Sequence, residues 1–182
     1  RAPMDRQQVI EQLPGLRRYA RALMGDAWAA DDLVQDTLER ACGQWRLWTA
    51  DSDLRAWLFT LMHNLFANQA RSASRRVSAG IRVDPADVDA ELSAPESGAE
   101  LALDLQRCLL RLPDDQREVL LLVTLEDLSY EEVSRVLAIP VGTVMSRLSR
   151  ARNRLRELMD TPAGPMALAP VAGARPGLRR LK

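Results

Sequence analysis

Five arginines, Arg147, Arg150, Arg152, Arg154 and Arg156, crowd a stretch of ten residues, with Thr143, Met145, Ser146, Ser149 and Asn153 set around them. Arginine can hold a guanine edge with two hydrogen bonds or clamp a phosphate. Within the same stretch Val144, Leu148, Ala151, Leu155 and Leu158 recur every three or four residues. That spacing predicts a helix with an apolar stripe inward and a polar, basic face outward. Just upstream, Ser129-Tyr130-Glu131-Glu132 forms a capping box: Ser129 accepts from the Glu132 amide and Glu132 reaches back. Leu128 and Val133 stand where a hydrophobic staple places them. A first helix therefore runs from Tyr130 to about Leu137, and Pro140 stops it and opens the next at its first position. Two helices joined so closely make a helix-turn-helix, whose second helix reads the major groove. A solvated helix in an ordinary bundle can carry the same arginines. The capping box and the short proline turn, together with the amphipathic second helix, favour DNA.

Other chemistries find little support. His63 is the single histidine, with no cysteine or carboxylate at ligand spacing, so neither a metal site nor a cofactor is expected. No phosphate loop occurs, and no Ser/His/Asp or Cys/His set exists for one histidine to serve, so the chain does not read as an enzyme. Cys42 and Cys108 stand far apart in apolar helical patterns and are expected as reduced, buried thiols. No apolar run reaches the ~18 residues of a membrane span, and no signal core follows a basic start. The expectation is a cytoplasmic protein with no membrane insertion of its own.

The elements that must position these groups are helical. Alternating β-branched runs are missing, and with 182 residues the chain suits two small units. Formal net charge is zero, so the placement of charge is informative where its sum is not. Leu13-Pro14-Gly15 reads as an early break, after which Leu16, Tyr19, Ala20 and Leu23 mark one helix face up to Gly25-Asp26. Leu33, Val34, Leu38 and Ala41 mark the next. Asp51-Ser52-Asp53 offers caps for a third helix carrying Trp57, Leu58, Leu61, Met62 and Leu65. Seven acids and no base lie between Asp84 and Asp104, in a stretch rich in Ser, Ala, Pro and Gly. The division expected is a first unit over 5–76, an acidic linker over 77–99, a second unit over 100–160, and a disordered tail over 161–182 that ends in four positive charges.

The first unit adds its own strings. Residues 32–41 read Asp-Leu-Val-Gln-Asp-Thr-Leu-Glu-Arg-Ala, and residues 54–68 read Leu-Arg-Ala-Trp-Leu-Phe-Thr-Leu-Met-His-Asn-Leu-Phe-Ala-Asn. Leu-Pro-Asp-Asp-Gln-Arg-Glu-Val-Leu-Leu-Leu follows from Leu112, then Leu-Ser-Tyr-Glu-Glu-Val, then Pro-Val-Gly-Thr-Val-Met-Ser-Arg-Leu-Ser-Arg-Ala-Arg from Pro140. In this order, across an acidic linker, the series resembles extracytoplasmic-function sigma factors of the sigma-70 superfamily, over about residues 10–72 and 100–159.

The resemblance implies an all-α chain of two small helical domains, a region 2 bundle and a region 4 helix-turn-helix, joined by a flexible acidic linker. It implies binding to core RNA polymerase, through the β′ coiled coil and the β subunit, and promoter-specific initiation. Asp32, Gln35, Asp36 and Glu39, spaced as one helix edge, resemble the segment that docks on the β′ coiled coil. Trp48, Arg55, Asn64, Asn68, Arg71, Arg75 and Arg76 fall in the part that recognises the minus-10 element, where an unpaired base needs a pocket and phosphates need cations. Thr143, Met145, Ser146, Arg147, Ser149, Arg150 and Arg152 fall in the minus-35 reader. Met145 stands where arginine is common, and Ser149 where a bulkier residue is common, so the minus-35 sequence does not carry over. An anti-sigma factor partner is also implied.

Trp28, Trp57 and Phe59 are expected in the core, Trp45 and Trp48, beside the loop from Leu47 to Asp53, at the exposed surface, and His63 on the DNA or solvent side of its helix. Two other functions use some of the same residues. A stand-alone helix-turn-helix regulator accounts for 128–158 but leaves Asp32 to Arg76 unexplained. A sigma-like decoy that binds an anti-sigma factor has no need of the arginines.

Overall fold

The computed structural model describes residues 6–48, 53–80 and 97–161. Among them lie seven α-helices and no strand: α1 (Arg6–Met24), α2 (Ala27–Gln44), α3 (Leu54–Ser78), α4 (Ser97–Leu110), α5 (Asp114–Thr124), α6 (Tyr130–Leu137) and α7 (Val141–Asp160). A short 3-10 turn, Trp45–Leu47, follows α2. The all-α expectation holds. The tail beyond Thr161 and most of the acidic linker fall outside the described residues. α3 continues to Ser78 and α4 begins at Ser97, so helix extends into both ends of the expected linker.

α1 to α3 form the first unit. Val9, Leu16, Tyr19, Ala20 and Leu23 line the buried side of α1. Ala30, Leu33, Val34, Thr37 and Ala41 do so for α2, and the buried Thr37 hydroxyl is satisfied by donating to the Leu33 carbonyl. Tyr19 meets Phe59 of α3 edge-on, with ring centroids 5.2 Å apart, an arrangement aromatic quadrupoles favour. Asp26 caps α2 by accepting from the Ala29 amide, and Asp53 caps α3 by accepting from the Arg55 amide. Pro14 does not break α1, contrary to the sequence reading; the helix runs through it. Val9 is buried on one side of Pro14 and Leu16 on the other, so burial of both flanks outweighs the lost hydrogen bond.

α4 to α7 form the second unit. The capping box at Ser129 and Glu132 is present, with Leu128 and Val133 both buried beneath it. Ala138 closes α6 in the left-handed conformation (φ 52°). Pro140 sits one residue before α7 rather than within it. Arg117 is buried and donates to the carbonyls of Leu110 and Leu112, at 3.2 Å each, and to Asp114 at 2.6 Å. Its guanidinium thus takes up the unpaired carbonyls where α4 ends.

The two units do not stand apart, as a flexible joint alone leads one to expect. α1 lies against α4 and α5, and α3 lies against α6. Gly25, with φ +73°, ends α1 directly under the Leu110 side chain, where any added Cβ would overlap it. The Gln106 side-chain amide donates to the Ala22 carbonyl at 3.1 Å.

Candidate polymerase and nucleic-acid interfaces

α7 presents two faces. Val144, Leu148, Ala151 and Leu158 are buried and Leu155 packs partly against them, so the stripe expected from spacing is the one turned inward. Met145, Ser146, Ser149, Arg150, Arg152 and Asn153 are exposed, and Thr143 is half-buried. Tyr130 of α6 joins Met145, Ser149, Arg152, Asn153 and Arg156 around a shallow hollow beside this face. Arg147 is set apart from the other arginines: it turns back to Asp115 of α5, with Nε 3.3 Å from a carboxylate oxygen. The helix thus leaves Arg150 and Arg152 exposed on its outer face and ties Arg147 to α5.

On α2, Asp32, Gln35, Asp36 and Glu39 are all exposed, opposite a buried stripe. Gln35 donates to Glu39 at 3.3 Å, which ties two members of the edge together. Four polar side chains at helical spacing form a continuous strip with acceptors along it, suited to a partner helix bearing donors.

α3 divides what the sequence reading grouped. Asn64, Asn68, Arg71, Arg75 and Arg76 are exposed, and Arg71 donates to the Asn68 side chain at 2.8 Å. Arg55 is not with them. At about 100° per residue, Asn64 and Asn68 lie roughly 180° to 220° around the helix from it. Arg55 instead faces the second unit, where its Nη2 is 2.9 Å from the Glu126 carboxylate and also donates to the Glu126 carbonyl. His63 departs in the same way: Nδ1 lies 2.7 Å from Oε1 of Glu118, a buried residue of α5. Burial pushes the Glu118 carboxyl up from its ordinary range, and the hydrogen bond and charge of His63 pull it part of the way back.

The tryptophans also fall differently. Trp28 is 83% exposed rather than in the core. It precedes Ala30 by two residues, about 200° around the helix from the buried stripe, so the spacing held the signal and the residue's hydrophobicity hid it. Trp45 and Trp48 are half-buried, not exposed: their ring centroids lie 4.7 Å apart with the planes tilted by 35°, and Trp57 is edge-on to Trp45 at 6.0 Å. The Trp48 indole N–H is buried and finds no acceptor among the described residues. Of the loop expected to form a base pocket, Leu47 to Asp53, residues 49–52 lie outside the described residues. Phe59 is buried as expected and Cys108 is half-buried, whereas Cys42 is exposed. Among the described residues no group of His, Cys, Asp and Glu could hold a metal ion, and no helix is long and apolar enough to cross a membrane.

The sequence reading missed the contacts across the junction, in which Glu126 accepts from Arg18 and Arg55 and Glu118 meets His63. Nothing in their spacing announces a partner in another unit.

Residues 9–63 match the family described as the Sigma2 domain of PhyR, and residues 102–155 match sigma-70 region 4. The sequence is similar to the ECF RNA polymerase sigma factor EcfG of Rhodopseudomonas palustris, 39% identical over 155 residues, which is 85% of this chain and 84% of that protein. It is also similar to the ECF RNA polymerase sigma factor SigC of Mycobacterium tuberculosis, 35% identical over 74% of this chain and 72% of that one. The backbone is similar to that of the sigma factor RpoE of Bartonella quintana in its co-crystal structure with the anti-sigma factor NepR. The TM-score there is 0.71, at 35% identity over 86% of this chain and 96% of that one.

Proposed function

The chain belongs to the extracytoplasmic-function RNA polymerase sigma factors, and from that membership we propose how its surfaces divide the work of promoter-specific transcription initiation. The exposed α2 edge of Asp32, Gln35, Asp36 and Glu39 docks on the coiled coil of the polymerase β′ subunit, and the second unit contacts the β subunit. Asn64, Asn68, Arg71, Arg75 and Arg76 take the minus-10 strand, with Trp48 at the margin of its pocket. Thr143, Met145, Ser146, Ser149, Arg150 and Arg152 face the minus-35 major groove, and Arg147 reaches it on leaving Asp115. The domains proposed are those of the sequence reading, a region 2 unit over 5–76 and a region 4 unit over 100–160. The protein acts in the cytoplasm, as an initiation factor rather than an enzyme.

The observation that carries this assignment is the free polar face of α7 behind a capped α6, in a chain that also shows the acidic α2 edge. Met145 can neither donate to a base nor clamp a phosphate, so its contribution is apolar contact of the kind a thymine methyl accepts. An anti-sigma factor is proposed as regulator, since the Bartonella quintana relative was solved with one.

Run-off transcription with bacterial core polymerase on promoters of the source genome tests the proposal. Specific transcripts are expected, reduced at least tenfold by Asp36→Ala through loss of docking and by Arg150→Ala through loss of a groove contact. A second reading is favoured by one observation, the match of residues 9–63 to the Sigma2 domain of PhyR. On that reading the chain is a decoy that binds an anti-sigma factor and no promoter. Absence of transcripts from the folded protein, with anti-sigma binding retained, would establish it.

A further inference from the structure

The two units are held together through charge. Glu126, in the turn between α5 and α6, has a side chain with no exposure to solvent. Arg18 of α1 grips it with both arms, Nε to Oε1 and Nη2 to Oε2, each at 3.0 Å. Arg55 of α3 adds its bond at 2.9 Å to Oε2. Gly15 leaves the room: a Cβ there would stand 3.1 Å from Oε2. One carboxylate of the second unit is thus enclosed by two guanidiniums of the first. A fork-to-fork pair of this kind fixes orientation as well as distance.

Size gives this contact a consequence. Elements at minus-10 and minus-35 lie about 25 base pairs apart, roughly 85 Å along a duplex that rises about 3.4 Å per pair. A compact body of this chain's length has a radius of gyration of ~16 Å and spans about 40 Å. The closed arrangement therefore cannot engage both elements at once.

We propose that Glu126, Arg18 and Arg55 form a self-inhibitory clasp that holds the sigma factor closed, and that must release before α3 and α7 can reach their promoter elements together. The inference rests on the promoter-binding function proposed above. The chemistry suits a reversible lock. An enclosed ion pair is near break-even against its hydrated parts, because desolvation offsets attraction. The Arg18 and Arg55 side chains remain 52% and 34% exposed, so water and salt can enter. On opening, all three groups regain hydration and no buried charge is left behind. The α2 edge is exposed while the clasp is closed, so polymerase can dock first and draw the units apart.

Small-angle X-ray scattering of the full chain, paired with run-off transcription at limiting protein, tests this with two variants. Glu126→Gln removes the enclosed charge, and Arg18→Ala alters a half-exposed residue outside the proposed DNA and polymerase surfaces, with little risk to folding. Loss of such a charge-assisted contact should shift the balance toward the open form by roughly tenfold. The expected result is a compact wild type, a larger radius of gyration for both variants at unchanged helicity, and several-fold more transcript at limiting protein. An extended wild type, or Arg18→Ala chains as compact as wild type, would overturn the clasp. Expanded variants with unchanged transcript yield would overturn its inhibitory role. If wild type gives no transcripts with core polymerase, the promoter-binding function fails, and inhibition with it; scattering still decides whether the clasp exists.

Discussion

Glu132 shows how one side chain ties acidity to fold. The Ser129 backbone amide donates to its carboxylate at 2.7 Å, and the Glu132 amide donates to the Ser129 hydroxyl at 3.2 Å. The bond from the Ser129 backbone, and after it the bond to the Ser129 side chain, hold the Glu132 carboxyl below its usual range. A carboxyl depressed on folding adds stability that is complete above its unfolded value, about 4.3, and is lost as pH falls through the lower folded value. Glu132→Ala should cost about 1 kcal/mol at neutral pH. In urea titrations the gap to wild type should close in acid below about pH 4; a gap that persists there would mean the carboxylate charge is not what matters. This box was legible in the sequence because both partners lie within four residues. Arg55 and His63 were not legible as junction residues, because their partners Glu126 and Glu118 come from the other unit.

Among the elements, α4 depends on a side chain outside itself. Its C-terminal carbonyls are taken up by the buried guanidinium of Arg117, which also pairs with Asp114. Arg117→Met keeps the apolar bulk and strands those acceptors. The expected loss is about 2–3 kcal/mol in denaturant titrations, with faster amide exchange along α4 than along α7. Equal exchange in both helices would show that Arg117 does not anchor α4. Periodicity located α6 and α7 well, and α7's buried stripe follows its spacing, with Leu155 partly buried. It misplaced the break at Pro14, because the weight of Val9 and Leu16 against the core is a tertiary quantity. The reading misjudged Trp28 because residue type was weighed above angular position, and Trp45 and Trp48 because nearness to a loop hid the ring contacts they make with each other and with Trp57.

For the molecule as a whole, the junction of the units is the feature the sequence concealed, since an acidic linker says nothing of how its ends meet. Gly25 serves that junction twice, through its positive φ and through its closeness to Leu110. Gly25→Ala should therefore cost about 1–2 kcal/mol from the left-handed backbone. It should also raise the radius of gyration as Leu110 is displaced; a stability loss with no expansion would confine the role of Gly25 to the end of α1.

The internal pairing of Arg18, Arg55, Arg117 and Arg147 with Glu126, Asp114 and Asp115 bears on where the free protein spends its time. A genome offers some 10⁶–10⁹ non-specific sites, all competing through phosphate. With four of its arginines engaged by its own acids, the chain has fewer cations to offer that crowd, and each contact withheld weakens non-specific phosphate binding.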